Sequence, residues 1–358
     1  MDTSADSYTA PRASLARNVS RLVGQLGLGR LVVTILFLAL AVLLARFTWQ
    51  VPLLSDAERA LYDARAAVMA PIVEQDERIL LVTYDDQTLL NTGIRSPLDR
   101  AILTRALANL DRMGAKAIGI DILFDSPRPE DAALQAQLRA MRTPTWLAYL
   151  EQENTPNTIL FEQQELLQNF IAAVQSAQVK PASVLFITDE DGTMRRWPVR
   201  PPGLPPLLAN AMAPVSAEGR NFRGAIRYHI PLKAQQGDEV GVFSELVIDN
   251  FGSEMDDEMI AAFSESVKGR YVLIGSNVFD VDQFETPLSR LPDLQVGERT
   301  TMFGMKIHAH MLKQQLDNDW PKPLSSGVLW ATALLVVVAG GLSSLIDARA
   351  WLVTGAMV

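Results

Sequence analysis

Two uncharged runs frame everything else this chain can be. Residues 31–45 are fifteen consecutive uncharged, mostly aliphatic positions between Arg30 and Arg46, and residues 327–346 are twenty more without a charge. A helix crosses the hydrocarbon core with about 20 apolar residues, within a range of roughly 17–25. The second run meets that length directly. The first is short alone, but uncharged residues flank it on both sides, and Arg30 and Arg46 can extend their stems so that the guanidinium groups reach the headgroups. A cleaved signal peptide is the competing reading. It is disfavoured because about 30 residues precede the run, as many as a whole signal peptide usually has, and no small-x-small cleavage site follows. Residues 30–50 and 327–346 are therefore expected to be membrane helices.

Basic residues set the orientation. Arg12, Arg17, Arg21 and Arg30 precede the first run, against only Asp2 and Asp6. The positive-inside rule then makes 1–29 a cytoplasmic tail and 51–325 an extracytoplasmic domain. Residues 347–350 become a cytoplasmic turn. The apolar residues 351–358 read as the start of a further, truncated membrane helix, so a multi-pass protein of the inner membrane is expected. The chain's net charge is −9; with the membrane-flanking charges set aside, the outer segment carries about −12. That sign repels nucleic acid and favours cations. The absence of cysteine rules out a disulfide scaffold and thiolate zinc sites.

Within the outer segment strands and helices alternate. Residues 55–70 read as a helix with Ser55 as N-cap and Glu58 completing a capping box. Strands are expected at 79–84, 115–124, 145–150, 182–187 and 271–275, with an edge strand at 193–199 and weaker ones at 222–230 and 246–251. Helices are expected at 96–113, 130–141, 163–179, 256–267 and 304–317. In the helix from Ser96, residues Leu98, Ile102, Ala106 and Leu110, with Leu103, Leu107 and Met113, are expected to form the buried face. The strand at 79–84 (ILLVTY) is apolar throughout, as in a sheet covered on both faces. The βαβ rhythm gives an α/β fold with a mainly parallel sheet flanked by helices, plus transmembrane α-helices.

Five stretches in order resemble one family. They are ILLVTYDDQTLL, LDRMGAKAIGIDILF, DEDGTMRRWPV, VLIGSNVFDVDQFETP and GMKIHAHML, spread over most of residues 56–318. Together they resemble the type-2 CHASE domain, the cyclase/histidine-kinase-associated sensory extracellular domain of bacterial transmembrane receptors. The resemblance implies an outward sensor for a small-molecule or protein ligand, a cytoplasmic output module and a homodimer. The output would be an adenylate or diguanylate cyclase or a protein kinase; this chain contains no such module. One departure is Ile94-Arg-Ser-Pro97, where the family tends to be tryptophan-rich, so contacts made by those aromatics do not transfer.

Carboxylates recur where strands should end: Asp85 and Asp86, Asp121 and Asp125, Asp189 and Asp191, Asp280 and Asp282. Ligands of open parallel sheets bind beyond the strands' carboxyl ends, so Asp85, Asp86, Asp121, Asp125, Asp280 and Asp282 are candidate ligand groups, suited to calcium, magnesium or an amine. Taken singly, each is equally the kind of acid that caps a helix or satisfies turn amides. Asp121 differs because it interrupts the apolar run GIDILF, where a carboxylate needs a partner. Arg100 or Arg105 is expected to supply it, and Arg195 is a further structural pairing candidate. Residues 189–192 do not have calcium-loop spacing, since the first and twelfth positions would be Ile187 and Pro198. A hairpin turn suffices.

His308 and His310 are two apart on a helix, about 200° around it, so they cannot share a metal; one should face the core and one the solvent. Nucleophile elbows, P-loops and dinucleotide fingerprints are absent from the sequence. The reading is the sensory, membrane-anchoring part of a receptor. A metal-dependent extracytoplasmic hydrolase and a non-catalytic envelope scaffold are the alternatives.

Overall fold

The computed structural model describes residues 28–50, 52–93, 98–232, 241–279, 281–290 and 301–343. It divides into two units, Met1–Ala60 with Pro323–Val358, and Leu61–Lys322.

The first unit contains helix α1 (Leu28–Arg46), the start of α2 (Pro52–Val68) and α10 (Ser326–Ser343). The 18-residue α10 is long and apolar enough to cross a membrane. In α1 the apolar part, Val32–Arg46, is shorter than that length, so one of the expected spans is met by length and composition. Phe47 meets Trp330 edge-on at 5.9 Å, and the Arg46 guanidinium lies over both rings. Residues 1–27, 344–346 and 351–358, with the tail and further helix expected there, fall outside the described residues. Helix α2 starts at Pro52, three residues before the expected cap, so Ser55 lies inside it. Proline suits a first turn because the amide it lacks has no helical partner there.

The second unit is built on a six-stranded, all-parallel sheet. Its strands are β2 (Asp76–Asp85), β3 (Ala117–Ile120), β4 (Thr145–Tyr149), β5 (Val179–Ser183), β7 (Phe243–Val247) and β8 (Tyr271–Asn277), in the order β5-β4-β3-β8-β2-β7. Two small ladders join β1 (Ile72–Val73) to β6 (Ile230–Pro231) and β9 (Gln283–Phe284) to β10 (Met302–Phe303). Helices α3 (Asp86–Thr92) and α4 (Arg100–Arg112) follow β2. Helices α5 (Asp131–Ala140) and α6 (Phe161–Val174) follow β3 and β4, and α7 (Leu208–Met212) lies between β5 and β6. Helix α8 (Asp257–Val267) precedes β8, and α9 (Gly304–Leu316) closes the domain. The expected edge strand at 193–199 is reduced to single bridges, Thr193 to Glu285 and Arg196 to Ala225; Pro198 has no amide to extend the second.

Topology explains the layers. Connections β2–β3, β3–β4, β4–β5 and β7–β8 all step in one direction across the sheet, so right-handed crossovers put their helices on one face. Helices α6, α5, α4 and α8 do pack there as a row. The β5–β7 connection runs back, and its helix α7 packs with α9 on the opposite face. Both faces of β2 and β8 are thus covered: Leu80, Val82, Val272 and Ile274 on one face and Ile79, Leu81 and Leu273 on the other are buried, each contributing about 1.5–3 kcal/mol.

Helix α9 is buried nearly all round, which corrects the expectation for its histidines. His308 and His310 are both in the interior. Phe186 stacks on His308 at 4.4 Å, while Tyr228, His229 and Phe243 surround His310. The chain between β5 and β7 covers the side of α9 that an amphipathic helix would give to water. Burial drives His229 down to about 4 and His308 to about 3, so both are neutral at physiological pH.

Candidate functional site at the carboxyl ends of the strands

At the carboxyl edge the chain leaves β2 and β3 for the α4–α5 face but leaves β8, the strand between them, for the α9 face. Such a switch point opens a crevice in doubly wound sheets. Asp121 directly follows β3, and its amide still donates to the Ile274 carbonyl of β8 at 2.8 Å. Asp282 follows β8, with the left-handed φ of 53° that few non-glycine residues adopt. Tyr84 is the penultimate residue of β2, and its hydroxyl is hydrogen-bonded to Ser276 near the end of β8.

The two carboxyls reinforce each other. Burial raises Asp121 well above the ordinary carboxylate range, and the charge of Asp282 raises it further. Burial takes Asp282 up to about 7, offset in part by the Gly304 amide. By surface area Asp282 is exposed and Asp121 half-buried, so water screens both, and the upward direction of the shifts rather than their size is what the geometry supports. The charge of each carboxyl disfavours ionisation of the other. No basic side chain pairs with either among the described residues. Tyr84 lies in the field of both: burial first, then Asp121 and Asp282, push its phenol to about 12, against the Ser276 bond and the charge of Arg100.

Gly304 leaves room for the Asp282 carboxylate: a Cβ on it would overlap Asp282 Oδ2, so a larger residue there would make the carboxylate shift. Gly275 has a related role in β8, where a Cβ would sit 2.9 Å from Met305 Cβ. These two glycines seat α9 hard against the sheet beside the crevice.

The other predicted acids are spent elsewhere. Asp85 caps α3, accepting from the Thr88 amide at 2.9 Å and its hydroxyl at 3.2 Å. Asp86 accepts from the Phe279 amide at 3.2 Å, and Asp125 from Gln163 Nε2 at 2.6 Å. Asp280 lies outside the described residues. Among the described residues no three His, Cys, Asp or Glu side chains converge to hold a metal, so the expected calcium or magnesium site finds no donor set there.

The arginines also depart from expectation. Neither Arg100 nor Arg105 pairs with Asp121, because both are held elsewhere. Arg105 donates through Nε to the Gly252 carbonyl. Arg100, only 1% exposed, gives Nε to Asp131 at 3.2 Å and lies over the Phe124 ring at 4.4 Å, while Nη1 and Nη2 have no hydrogen-bond partner among the described residues. Burial lowers its pKa, with Asp131 opposing. Arg195 meets three acids, Asp63 at 2.7 Å, Asp189 at 2.8 Å and Asp191 at 2.6 Å, tying α2 to the tight turn at 189–192.

The sequence does not mark Tyr84 or Gly304 as site residues, and Ser276 reads there as part of a turn after the strand at 271–275 that could hold an anion. A glycine opening a helix was the one available signal, since Gly at the first helical position lacks the usual propensity reason. No curated protein and no solved structure matches the chain. A family model does: the CHASE2 domain matches residues 35–343, and the chain belongs to that family of sensory extracellular domains of signalling receptors.

Proposed function

We propose that this chain is the sensory and membrane-anchoring part of a multi-pass transmembrane receptor. Its α/β domain lies outside the cytoplasmic membrane, and its output module, a cyclase or kinase, lies inside. A ligand enters the crevice between β3, β8 and β2 and engages the Asp121–Asp282 pair. The observation that carries this reading is the contact of Asp282 with Gly304. Ionising or neutralising Asp282 acts directly on the first turn of α9, the helix whose chain continues to α10. The ligand needs no new contact with the membrane segment: it binds one arrangement of α9 better and shifts the population towards it. The receptor acts as a homodimer, in which such a bias alters how two output modules meet.

The cysteine-free sequence makes the topology directly testable. Glu153 is exposed in the segment between β4 and α6. Glu153→Cys should react with a membrane-impermeant maleimide in intact spheroplasts. Labelling only after lysis overturns the extracytoplasmic placement.

A further inference from the structure

Helix α2 has two faces of opposite character. On one, Asp63 and Ala67 are buried, and Asp63 takes Nε and Nη2 of Arg195 at 2.7 and 2.8 Å, which fastens that face. About half a turn away lie Leu54, Ala57, Leu61, Ala64 and Val68, all exposed; Leu61 and Val68 are 72% and 75% exposed. Their spacing of three, four, three and four residues is that of the a and d positions of a heptad seam. No charge interrupts the stripe. A contiguous apolar surface left open to water marks an interaction site.

The chemistry of the stripe selects its occupant. A helix that rests on a lipid surface carries many Lys and Arg on its polar side, whereas α2 carries Asp56, Glu58 and Asp63 against Arg59 and Arg65. Knobs at heptad spacing fit the holes of another helix. A stable complex of free proteins buries about 800 Å² on each partner, more than two heptads offer. Two chains anchored in one membrane start at a high effective concentration, so a short seam is enough for them. We propose that the 54–68 stripe of α2 is the seam on which a second copy of this chain docks, parallel and in register. Both chains insert the same way, so both α2 helices leave the membrane on the same side. Leu61 then meets Leu61, and Arg65 at the e position faces Ala60 at the g position of the second copy, so no like charge opposes it. This rests on the homodimer proposed above and names the surface that joins it.

The test is disulfide cross-linking of the full chain in membrane vesicles, which the absence of native cysteine makes clean. Under mild oxidation Leu61→Cys, Ala64→Cys and Val68→Cys should each give a product of twice the chain mass. Asp56→Cys, on the far side of α2, and the exposed Glu153→Cys should give about ten times less, since neither lies on the seam. Leu61→Glu and Leu61→Lys, each combined with Ala64→Cys, should each lower the Ala64 cross-link about tenfold, because like charges then face each other. Co-expressing the two should restore it, which a merely misfolded variant could not do. Leu61→Glu alone should melt with wild type, as its site is open to water. Equal cross-linking at seam and control positions overturns the proposal. So does a cross-link that survives Leu61→Glu, a loss that co-expression does not restore, or a product whose mass reveals a different protein. If the seam positions do not cross-link while mass measurement in native nanodiscs finds two copies, the seam is overturned and the homodimer stands. A single copy per nanodisc overturns both.

Discussion

The two ends of the parallel sheet treat the same residue types in opposite ways. At the amino edge Asp76, which opens β2, accepts from Arg78 at 2.5 Å and from Lys313 at 3.1 Å. Asp317 accepts from the same two cations at 2.6 and 2.9 Å. Burial would raise Asp76, but the bonds from Arg78 and Lys313 outweigh it and bring it to about 2; Asp317 is lowered in the same way. At the carboxyl edge Asp121 and Asp282 pair with no cation among the described residues and move up. Both edges involve β2 and α9. Helix α9 begins on Asp282 and ends among Lys313 and Asp317, so it is clamped at one end and poised at the other. Paired charges fix that end; unmet ones make the other respond to whatever meets them.

Removing the clamp should be the costliest single change. Asp76→Ala deprives Lys313 and Arg78 of a carboxylate whose side chain is only 4% exposed. Breaking a buried pair costs 3–5 kcal/mol, and the partial exposure of Arg78 reduces this to about 3 kcal/mol. Chemical denaturation of the full chain reads it directly. If Asp282→Ala proves as destabilising as Asp76→Ala, the two edges do not differ as described.

The next effect lies at the poised end. Gly304→Ala drives a methyl group into Asp282, and overpacking of that kind costs about 1–3 kcal/mol. Because the clash has one partner, Asp282→Ala should relieve it. The double variant should therefore be more stable than the sum of the single ones predicts, by at least 0.5 kcal/mol, about the smallest coupling such a cycle resolves. Strict additivity would mean that α9 meets the carboxylate more loosely than a 2.3 Å overlap implies.

Sequence periodicity carries the layers well and the site poorly, for physical reasons. Apolar strands at 79–84 and 271–275 and the buried face of α4 are local patterns, and they appear as β2, β8 and α4 with ends moved by a few residues. The strand order, with β8 inserted between β2 and β3, is a long-range outcome that no local pattern encodes. It is also what makes the site: Asp121 and Asp282 stand more than 150 positions apart in sequence and meet only because β8 returns between two earlier strands. Acids at strand ends were readable as a set, but which of them meet and which merely cap a helix depends on that order. Asp85 looked no different from Asp121 until α3 supplied an amide to cap. Arg100 was assigned to the nearest acid along the helix face, whereas Asp131, at the start of α5, took it instead.

The smallest effect is the most specific, because the two edges should answer pH with opposite signs. Asp76 has a folded value near 2, below the ordinary value of 3.8, so its contribution is present above about pH 4 and is lost as pH falls towards 2. Asp282 has a folded value near 7, above 3.8, so its contribution is complete below about pH 4 and is lost as pH rises through 7. Asp282→Asn removes the second titration and leaves the first. The melting temperature of Asp282→Asn relative to wild type should therefore climb between pH 5 and pH 8. Solvent screening at Asp282 limits the gain to about 1 kcal/mol, or roughly 2–4 °C for a domain of this size. Asp76→Asn, in contrast, should lose its deficit only in acid, below about pH 4. A flat difference for Asp282→Asn from pH 5 to 8, or one that falls, would show that the carboxyl pair ionises as ordinary surface acids do. The contrast between the clamped and poised ends of α9 would then have no electrostatic basis.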